Sequence, residues 1–312
     1  MRRILLAAGA LALAGAPLAA QCTNIINPQA MSACQHAEDA VKTLHPLVGM
    51  IISGGDPVIG SGSTLGGFGH LFVSARVNAV KVALPSTNTA DSASATGLVP
   101  APVVEAGLGL FRGLGGGLLA VDALGSATLL PTGAVANLTV DSGASKIGSL
   151  ALGLGYGARI GIIRGGFPLP SVSLSIMRRT LPRIRYGHLG ATFASDSAFM
   201  FDTDLRATNI RLVAAMHILL LDVAAGVGLD QYKSTAHVSY YNSLASTTTD
   251  TIKLDNKRSV LFVDAGMNLL AVKLVGELGY QTGKDQDLTT TYQGFDPKAG
   301  HVFGGIGIRV SF

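Results

Sequence analysis

Residues 300–312, at the end of the chain, read GHVFGGIGIRVSF. Counting back from Phe312, every second side chain is apolar or glycine, and the alternate set is small or polar apart from Phe303. Successive side chains leave opposite faces of a strand, so this period of two predicts a β-strand with one apolar face. The segment is long enough for a tilted membrane-spanning strand, which needs about 9–11 residues. An edge strand of a soluble β-protein would show the same pattern, so the rest of the chain must distinguish the two.

The beginning of the chain predicts secretion. Two arginines follow Met1, residues 4–16 form an apolar run, and residues 18–20 are Leu-Ala-Ala. These features predict a signal peptide over residues 1–20. Its removal lowers Lys plus Arg from 23 to 21 against 19 Asp plus Glu, so the mature chain carries little net charge. This near-balance argues against a nucleic-acid partner, which would require a concentrated basic face.

The composition favours a membrane protein over a soluble β-protein. Charged residues make up 13% of the chain, about half the usual share, and there are 40 glycines. No long uniform apolar segment follows the predicted signal peptide. Low charge without spanning helices is typical of a transmembrane β-barrel, whose apolar residues alternate with small polar ones.

Residues 28–52 predict a helix near the mature N-terminus. Asn27 suits the N-cap and Pro28 the first helical position. Two cysteines in a secreted chain, Cys22 and Cys34, predict a disulfide. A metal site is the alternative, but no His or acidic residue lies at a convincing spacing, and no metal or cofactor is predicted. A glycine-rich connection then leads to the first strand.

From residue 69 onward the sequence alternates between strands and turns or loops. The ten predicted strands cover residues 70–84, 103–111, 118–130, 147–163, 171–177, 205–216, 221–230, 259–269, 272–282 and 300–312. Long polar loops are predicted at 85–101, 131–145, 178–204, 233–256 and 283–299, and short turns at 113–117, 165–170, 217–220 and 270–272. Twelve strands result if residues 178–204 contain a hairpin. A buried helix over 212–229 is the rival interpretation there, and a change of apolar parity near Ala79 and Val80 indicates a bulge.

Short turns alternating with long loops are the pattern of a barrel with periplasmic turns and external loops. An even strand number places the first strand's start and Phe312 on the same, periplasmic side. The polar face would then line the lumen, and its charged members are Arg76, Glu105, Asp122, Arg159, Asp222, Asp264, Lys273, Glu277 and Arg309. A salt-bridged filling and a polar pathway are both consistent with this set. Inward glycines would provide either wall curvature or room for an inserted helix.

The signal peptide, the N-terminal segment, the alternating strands and the terminal Phe312 together resemble a bacterial outer-membrane β-barrel protein. The resemblance implies an all-β transmembrane antiparallel barrel in the outer membrane of a Gram-negative cell. It also implies outer-membrane lipids and the barrel assembly machinery as partners. The plug-like N-terminal segment is loosely similar to the long-chain fatty-acid transporter family of hydrophobic-compound channels, with no shared motif. The predicted organisation is a signal peptide over 1–20, a periplasmic or plug segment over 21–66, and a barrel over 67–312.

The expected function is passive passage of small apolar or amphipathic molecules past the N-terminal segment, with a small hydrophobic ligand as possible cargo. The alternative is a structural or surface-recognition barrel with a filled lumen. No enzyme is predicted, because the seven histidines are scattered and none lies in a recognisable catalytic signature.

Overall fold

The computed structural model describes residue 22 and residues 25–85, 94–115, 117–134, 138–166, 168–187, 199–240, 248–290 and 295–312. The predicted signal peptide lies outside the described residues. One helix, α1 (Pro28–Ser53), precedes the strands, and a 3-10 turn covers Thr132–Ala134. The strands are β1 (Leu71–Pro85), β2 (Ser94–Phe111), β3 (Val121–Pro131), β4 (Leu138–Val140), β5 (Lys146–Ile147), β6 (Leu150–Ile163), β7 (Ser171–Gly187), β8 (Phe199–Ile218), β9 (Leu221–Tyr240), β10 (Thr248–Leu269), β11 (Val272–Gln281) and β12 (His301–Ser311).

Ten long strands close into an antiparallel barrel in which β12 pairs with both β11 and β1. At this seam the amide and carbonyl of Phe312 bond to those of Leu71. Closure leaves the wall without an unpaired edge, which is the condition for a sheet to span a bilayer. The short strands β4 and β5 add to β7 and β6 outside the ring. The predicted ten-stranded barrel is confirmed, and β8 and β9 replace the rival helix over residues 212–229.

Several segments predicted as loops are extensions of the strands. β2 begins at Ser94, β7 continues to Gly187, β8 starts at Phe199, and β9 and β10 reach into the predicted loop at 233–256. The described residues within 178–204 belong to β7 and β8, which pair directly with each other up to Gly187 and Met200. These polar segments form strands because the wall extends beyond the membrane on the external side. There, Ser, Thr and Lys side chains of a paired strand can face water.

The predicted bulge near Ala79 and Val80 is wrong. Both residues keep their register, opposite Pro100 and Val99, and the side chain of Val80 points inward like that of Arg76. The apolar residues change parity because the lumen itself becomes apolar at this height, not because the strand shifts.

The outer surface is divided into an apolar belt and a polar collar. Near the short turns, the outward side chains of the wall are apolar and exposed, as in Leu212, Val227 and Val263. Nearer the long loops, outward side chains on the same strands are polar, as in Arg206, Lys233 and Lys257. This is the band expected of a barrel crossing a membrane, with the collar standing outside the cell.

Placing a charge in this belt is expected to destabilise the barrel. Val263 lies among the apolar outward positions 261–269 of β10 and is 53% exposed. Val263→Arg is expected to cost about 2–4 kcal/mol in a bilayer, because a guanidinium near the midplane lacks water. Urea unfolding of the reconstituted protein, followed by heat-modifiable gel mobility, measures this. Val263→Thr is the matched control, and equal stability of the two variants would contradict the assignment of the belt.

The lumen is occupied by α1 and by residues 54–66, here called the tether; together residues 28–66 are the plug. Gly49 of the helix lies beside the ring of Tyr232 in the external half of β9, and Gly54 lies beside Arg76. Farther down, the amide of Leu65 bonds to Asp122, close to the periplasmic end of β3. The plug therefore descends from the external face to the periplasmic mouth. No helix in the described part of the chain has the length and apolar character needed to cross a bilayer.

The external half of the lumen is packed like the core of a soluble protein. The buried apolar face of α1 includes Leu44, Val48, Ile51 and Ile52. Inward side chains of the wall join it in one cluster, among them Val80, Val99, Phe199, Phe201, Val238, Ile252 and Leu254. Burial of this apolar area stabilises the plug within the wall.

Candidate functional site

The C-terminal end of α1 is held by three side chains of the wall. Arg211 donates from Nη2 to the carbonyl of Gly54 at 2.9 Å and from Nε to that of Gly55 at 2.7 Å. Asn78 donates to the carbonyl of Ile51 at 3.0 Å, and Arg76 to that of Asp56 at 3.0 Å. The last carbonyls of a helix lack intrahelical partners and carry partial negative charge, so Asn78 stabilises the helix end through Ile51. The two arginines bind the carbonyls of the turn that follows the helix.

Glu277 binds the backbone amides of the turn that follows α1. Its carboxylate accepts hydrogen bonds from the amides of Gly55 at 2.8 Å and Asp56 at 2.7 Å. Arg76 lies between two carboxylates, 3.0 Å from Glu105 and 3.6 Å from Glu277, and all three side chains are fully buried. Arg179 also bonds to Glu105 at 3.0 Å. The plug thus turns from helix to tether inside a ring of buried charges, which we call the lumen clamp.

A second group of side chains completes the lumen clamp around Asp230. This carboxylate accepts from Arg211 at 2.6 Å and from Asn209 at 2.7 Å. It also accepts from the hydroxyl of Tyr232 at 2.8 Å and from Gln281 at 2.9 Å. Asn209 donates in turn to the hydroxyl of Ser53 on α1 at 2.9 Å. The wall and the plug therefore share one hydrogen-bond network.

The tether is bound by ion pairs near the periplasmic mouth. Arg159 pairs with Asp122 at 2.9 Å and donates to the carbonyl of Ser61 at 3.2 Å. Lys273 pairs with Asp222 at 2.7 Å and donates to the carbonyl of Gly60 at 3.2 Å. These pairs fix the tether through its backbone, so its side chains can be small.

The structure places all nine charged residues predicted for the lumen on the inward face. Seven are buried, while Asp222 and Lys273 are partly exposed at the periplasmic mouth. The structure also joins Cys22 and Cys34 in a disulfide beside the start of α1. Phe312 lies exposed at the end of the seam with β1.

Several members of the site were not predicted from the sequence, among them Asp56, Arg179, Asn209, Arg211 and Asp230. Arg211 and Asn209 alternate with Ile210 and Leu212, so the strand parity of β8 already placed them inside. Arg179 belonged to a region whose structure was left open. Asp56 looked like part of a flexible connection, and only its backbone contacts with Arg76 and Glu277 assign it to the clamp.

Three of the inward glycines lie beside aromatic rings of neighbouring strands. A Cβ on Gly107 would lie 2.3 Å from the ring of Phe72, its partner on β1. Likewise Gly226 faces Phe262, and Gly279 faces Phe303. These glycines make room for aromatic rings of the neighbouring strands, as in the pairing that protects strand glycines. Gly109 does make room for an inserted segment, because a Cβ there would meet the carbonyl of Gly67, directly after the tether.

The last external loop covers the N-terminal half of α1. One carboxylate oxygen of Asp39 accepts from the amide and hydroxyl of Thr289 at 2.9 and 2.8 Å. It accepts likewise from the amide and hydroxyl of Thr290, both at 2.6 Å. Lys42 donates to the carbonyl of Asp287 at 3.3 Å. The loop therefore closes the external mouth over the plug.

Removing this acceptor should release the loop. Asp39→Ala leaves the polar groups of Thr289 and Thr290 without this partner, and we expect faster proteolysis at Lys284 and Lys298 on intact cells. Limited trypsin digestion followed by mass spectrometry measures the cleavage. Gln29→Ala, at an exposed position of the same helix, is the control. Equal cleavage of wild type and Asp39→Ala would contradict the role of this contact.

His45 makes the plug sensitive to acid. Its ring is buried against Tyr232, and Nε2 has no hydrogen-bond partner among the described residues. Burial, assisted by the nearby Arg258 cation, lowers the pKa of His45 from 6.5 to about 3, against an opposing effect of Asp255. The unfolded chain therefore binds more protons than the folded one below pH 6.5, and stability falls as pH is lowered through that window.

We expect acid to destabilise the wild type more than a variant without the imidazole. Urea unfolding midpoints at pH 7.5 and pH 5.0 should differ more for the wild type than for His45→Leu. His36→Leu, with a hydrogen-bonded imidazole near the start of α1, serves as the control. The same pH dependence in wild type and His45→Leu would exclude His45 as the titrating group.

Among the described residues, no cluster of three or more His, Cys, Asp or Glu side chains is arranged to hold a metal ion. No family model and no curated protein matches the chain. Solved structures that resemble it are outer-membrane proteins. The outer-membrane protease OmpT of Escherichia coli is 12% identical, with 78% of this chain and 96% of that chain covered and a TM-score of 0.40.

Two further structures are similar at the same low level. The translocator domain of the Neisseria meningitidis autotransporter NalP is 11% identical, covers 90% of this chain and 98% of its own, and gives a TM-score of 0.43. The Pseudomonas putida toluene transporter TodX is 11% identical, with coverages of 78% and 88% and a TM-score of 0.27. With a closed ten-stranded wall, an apolar belt on its outer face and buried charges in the periplasmic half of its lumen, the chain has the fold of a membrane-spanning β-barrel, like the outer-membrane proteins it resembles.

Proposed function

We propose that the protein passes small amphipathic molecules across the outer membrane when the plug is displaced, and is closed at rest. The observation that carries the proposal is the plug itself. Residues 28–66 fill the lumen but belong to no strand of the wall, and they join β1 through a glycine-rich stretch. Gly60, Gly66, Gly67 and Gly69 have positive φ angles, which glycine adopts at little cost.

The two halves of the lumen support an amphipathic cargo. Wall residues beside α1 are apolar, whereas those beside the tether are charged. The basic inward side chains include Arg76, Arg159, Arg179, Arg211, Arg258, Lys273 and Arg309, and the acidic ones include Glu105, Asp122, Asp222, Asp230, Asp264 and Glu277. Because the two signs nearly balance, selection by net charge is expected to be weak.

The alternative is a static barrel whose filled lumen supports a structural or surface-recognition role. The lumen clamp favours this alternative, because many buried hydrogen bonds would have to break before the plug could move. Its external face would then be the functional surface. Partial displacement of α1 would distinguish the two, since a static barrel does not need it.

A reversible cross-link between the plug and the wall tests the proposal. Ser53 and Asn209 are in hydrogen-bond contact across the boundary, so Ser53→Cys combined with Asn209→Cys can be joined by a short thiol cross-linker. Each single variant treated in the same way is the control, and a variant lacking residues 25–66 defines the open level. We expect cross-linking to abolish uptake of a small amphipathic dye into proteoliposomes. Equal uptake before and after cross-linking, with high uptake in the truncated barrel, would favour the static barrel.

We also propose that the protein is not an enzyme. Two Asp–His pairs are present among the described residues, Asp202–His237 and Asp222–His217, both at 3.0 Å. Each aspartate is already bound to a cation, Arg183 in the first case and Lys273 in the second. Incubation of the purified protein with a fluorogenic peptide library should give no turnover. Turnover abolished by His237→Ala or His217→Ala would overturn this.

The proposed partners are outer-membrane lipids, a small hydrophobic or amphipathic ligand and the barrel assembly machinery. The terminal strand β12 supports the last of these, because it ends in the exposed ring of Phe312 at the closing seam.

A further inference from the structure

The apolar belt contains a depression on its lipid-facing side. It lies across β8, β9 and β10 and has a volume of about 450 Å³. Leu212, Val227, Leu229 and Leu261 line it with outward, exposed side chains. Its small residues include Ser259 and Thr282 on the outward face, so the surface recedes where neighbouring positions carry leucine. A recess of this kind in a lipid-facing wall accommodates an acyl chain.

Two lysines border this depression on its external side. Lys257 lies two residues before Ser259 on the same outward face, and Lys284 lies two residues after Thr282. Ser259 and Thr282 are joined by hydrogen bonds, from the amide of Thr282 to the carbonyl of Ser259 at 2.9 Å and from the amide of Ser259 to the hydroxyl of Thr282 at 3.1 Å. Ser259 and Thr282 are therefore neighbours across the wall, and each lysine is two residues from one of them on the external side.

The positive charge at this position is not neutralised by the protein. Neither Lys257 nor Lys284 forms an ion pair within the described ranges, and both are exposed. Asp255, the acidic residue next along the outward face of β10, is already bound by Gln231 at 2.9 Å and Lys233 at 3.5 Å. Adjacent like charges repel each other, and an anion placed between them relieves that repulsion.

We propose that this surface binds one phosphorylated lipid of the outer leaflet. The phosphate lies between Lys257 and Lys284, and an acyl chain occupies the depression beside Ser259. The arrangement matches an amphiphile at the membrane surface, since the cations stand at the boundary of belt and collar and the apolar recess lies directly on the membrane side of it. A free phosphate ion would use the lysines and leave the depression without a role.

Native mass spectrometry of the full barrel in detergent, titrated with dioleoyl phosphatidic acid, tests the site. We expect Lys257→Gln and Lys284→Gln each to weaken binding about fivefold, the loss expected for one interfacial lysine. Lys253→Gln, an exposed outward lysine on the same strand and farther from the membrane, is the matched control and should change binding less than twofold.

A second variant separates a lipid site from a phosphate site. Ser259→Phe fills the depression from a position where an aromatic side chain faces lipid, so the fold is not threatened. We expect it to weaken phosphatidic acid binding while leaving weak competition by inorganic phosphate unchanged. The proposal is overturned if the two lysine variants bind like Lys253→Gln. It is also overturned if Ser259→Phe binds the lipid as the wild type does, since the lysines would then hold phosphate alone.

Discussion

Arg76→Met is expected to destabilise the folded barrel by roughly 3–5 kcal/mol, the usual cost of removing one partner from a buried ion pair. Arg76 has no solvent exposure, pairs with Glu105 and Glu277, and donates to the carbonyl of Asp56. Methionine fills a similar volume without the charge. Glu277 would then lose its guanidinium partner while buried, and the turn of the plug would lose a donor.

Unfolding in urea, read from heat-modifiable gel mobility after reconstitution, measures the change. Arg206→Met is the control, because Arg206 is 62% exposed and its contact with Asp204 is long, at 3.7 Å. An exposed pair contributes about 0–1 kcal/mol. Combining Arg76→Met with Glu277→Leu should cost less than the sum of the two single variants, because fewer charges remain unpaired. If Arg76→Met and Arg206→Met unfold alike, the lumen clamp does not stabilise the barrel.

Gly49→Leu is expected to expel the helix from the lumen, with a destabilisation of about 3 kcal/mol or somewhat less, at the upper end of overpacking effects. A Cβ on Gly49 would lie 2.6 Å from the ring of Tyr232. This ring cannot move aside, because its hydroxyl is bonded to Asp230 at 2.8 Å and to Gln281 at 2.6 Å. The wall itself is not altered by the substitution.

The effect should therefore appear in the plug before it appears in the barrel. We expect trypsin to cleave Gly49→Leu at Lys42, which is buried in the wild type, while the heat-modifiable band of the folded barrel is retained. Gly97→Leu is the matched control, since a Cβ there meets no atom within 4 Å. Protection of Lys42 in Gly49→Leu equal to that in the control would contradict the packing of α1 against Tyr232.

The barrel could be predicted from the sequence because its determinants are local. Alternation along residues 147–163 and 300–312 fixes which side chains face lipid, whatever the rest of the chain does. Strand ends were predicted less well for a physical reason. Polar runs such as 233–240 look like loops, but outside the membrane a strand can present serine, threonine and lysine to water without penalty.

The interior could be predicted only in part. Parity placed Arg76 and Glu277 in the lumen but did not show that both bind the backbone of the plug at Asp56. That contact joins positions more than 200 apart in sequence, as in the bond from Gly55 to Glu277. The false bulge at Val80 has the same origin, because a lumen filled by a helix turns apolar where an empty one would stay polar.

Cysteine labelling on intact cells tests the central claim, that the plug runs through the lumen from the external face to the periplasm. Ile26 precedes α1 and is 91% exposed, whereas Leu270 is fully exposed in the short turn between β10 and β11. Ile26→Cys should react with a membrane-impermeant maleimide on intact cells, and Leu270→Cys should react only after the outer membrane is permeabilised. If Ile26→Cys also required permeabilisation, the N-terminal segment would begin on the periplasmic side, and the plug would not run through the lumen from the external face.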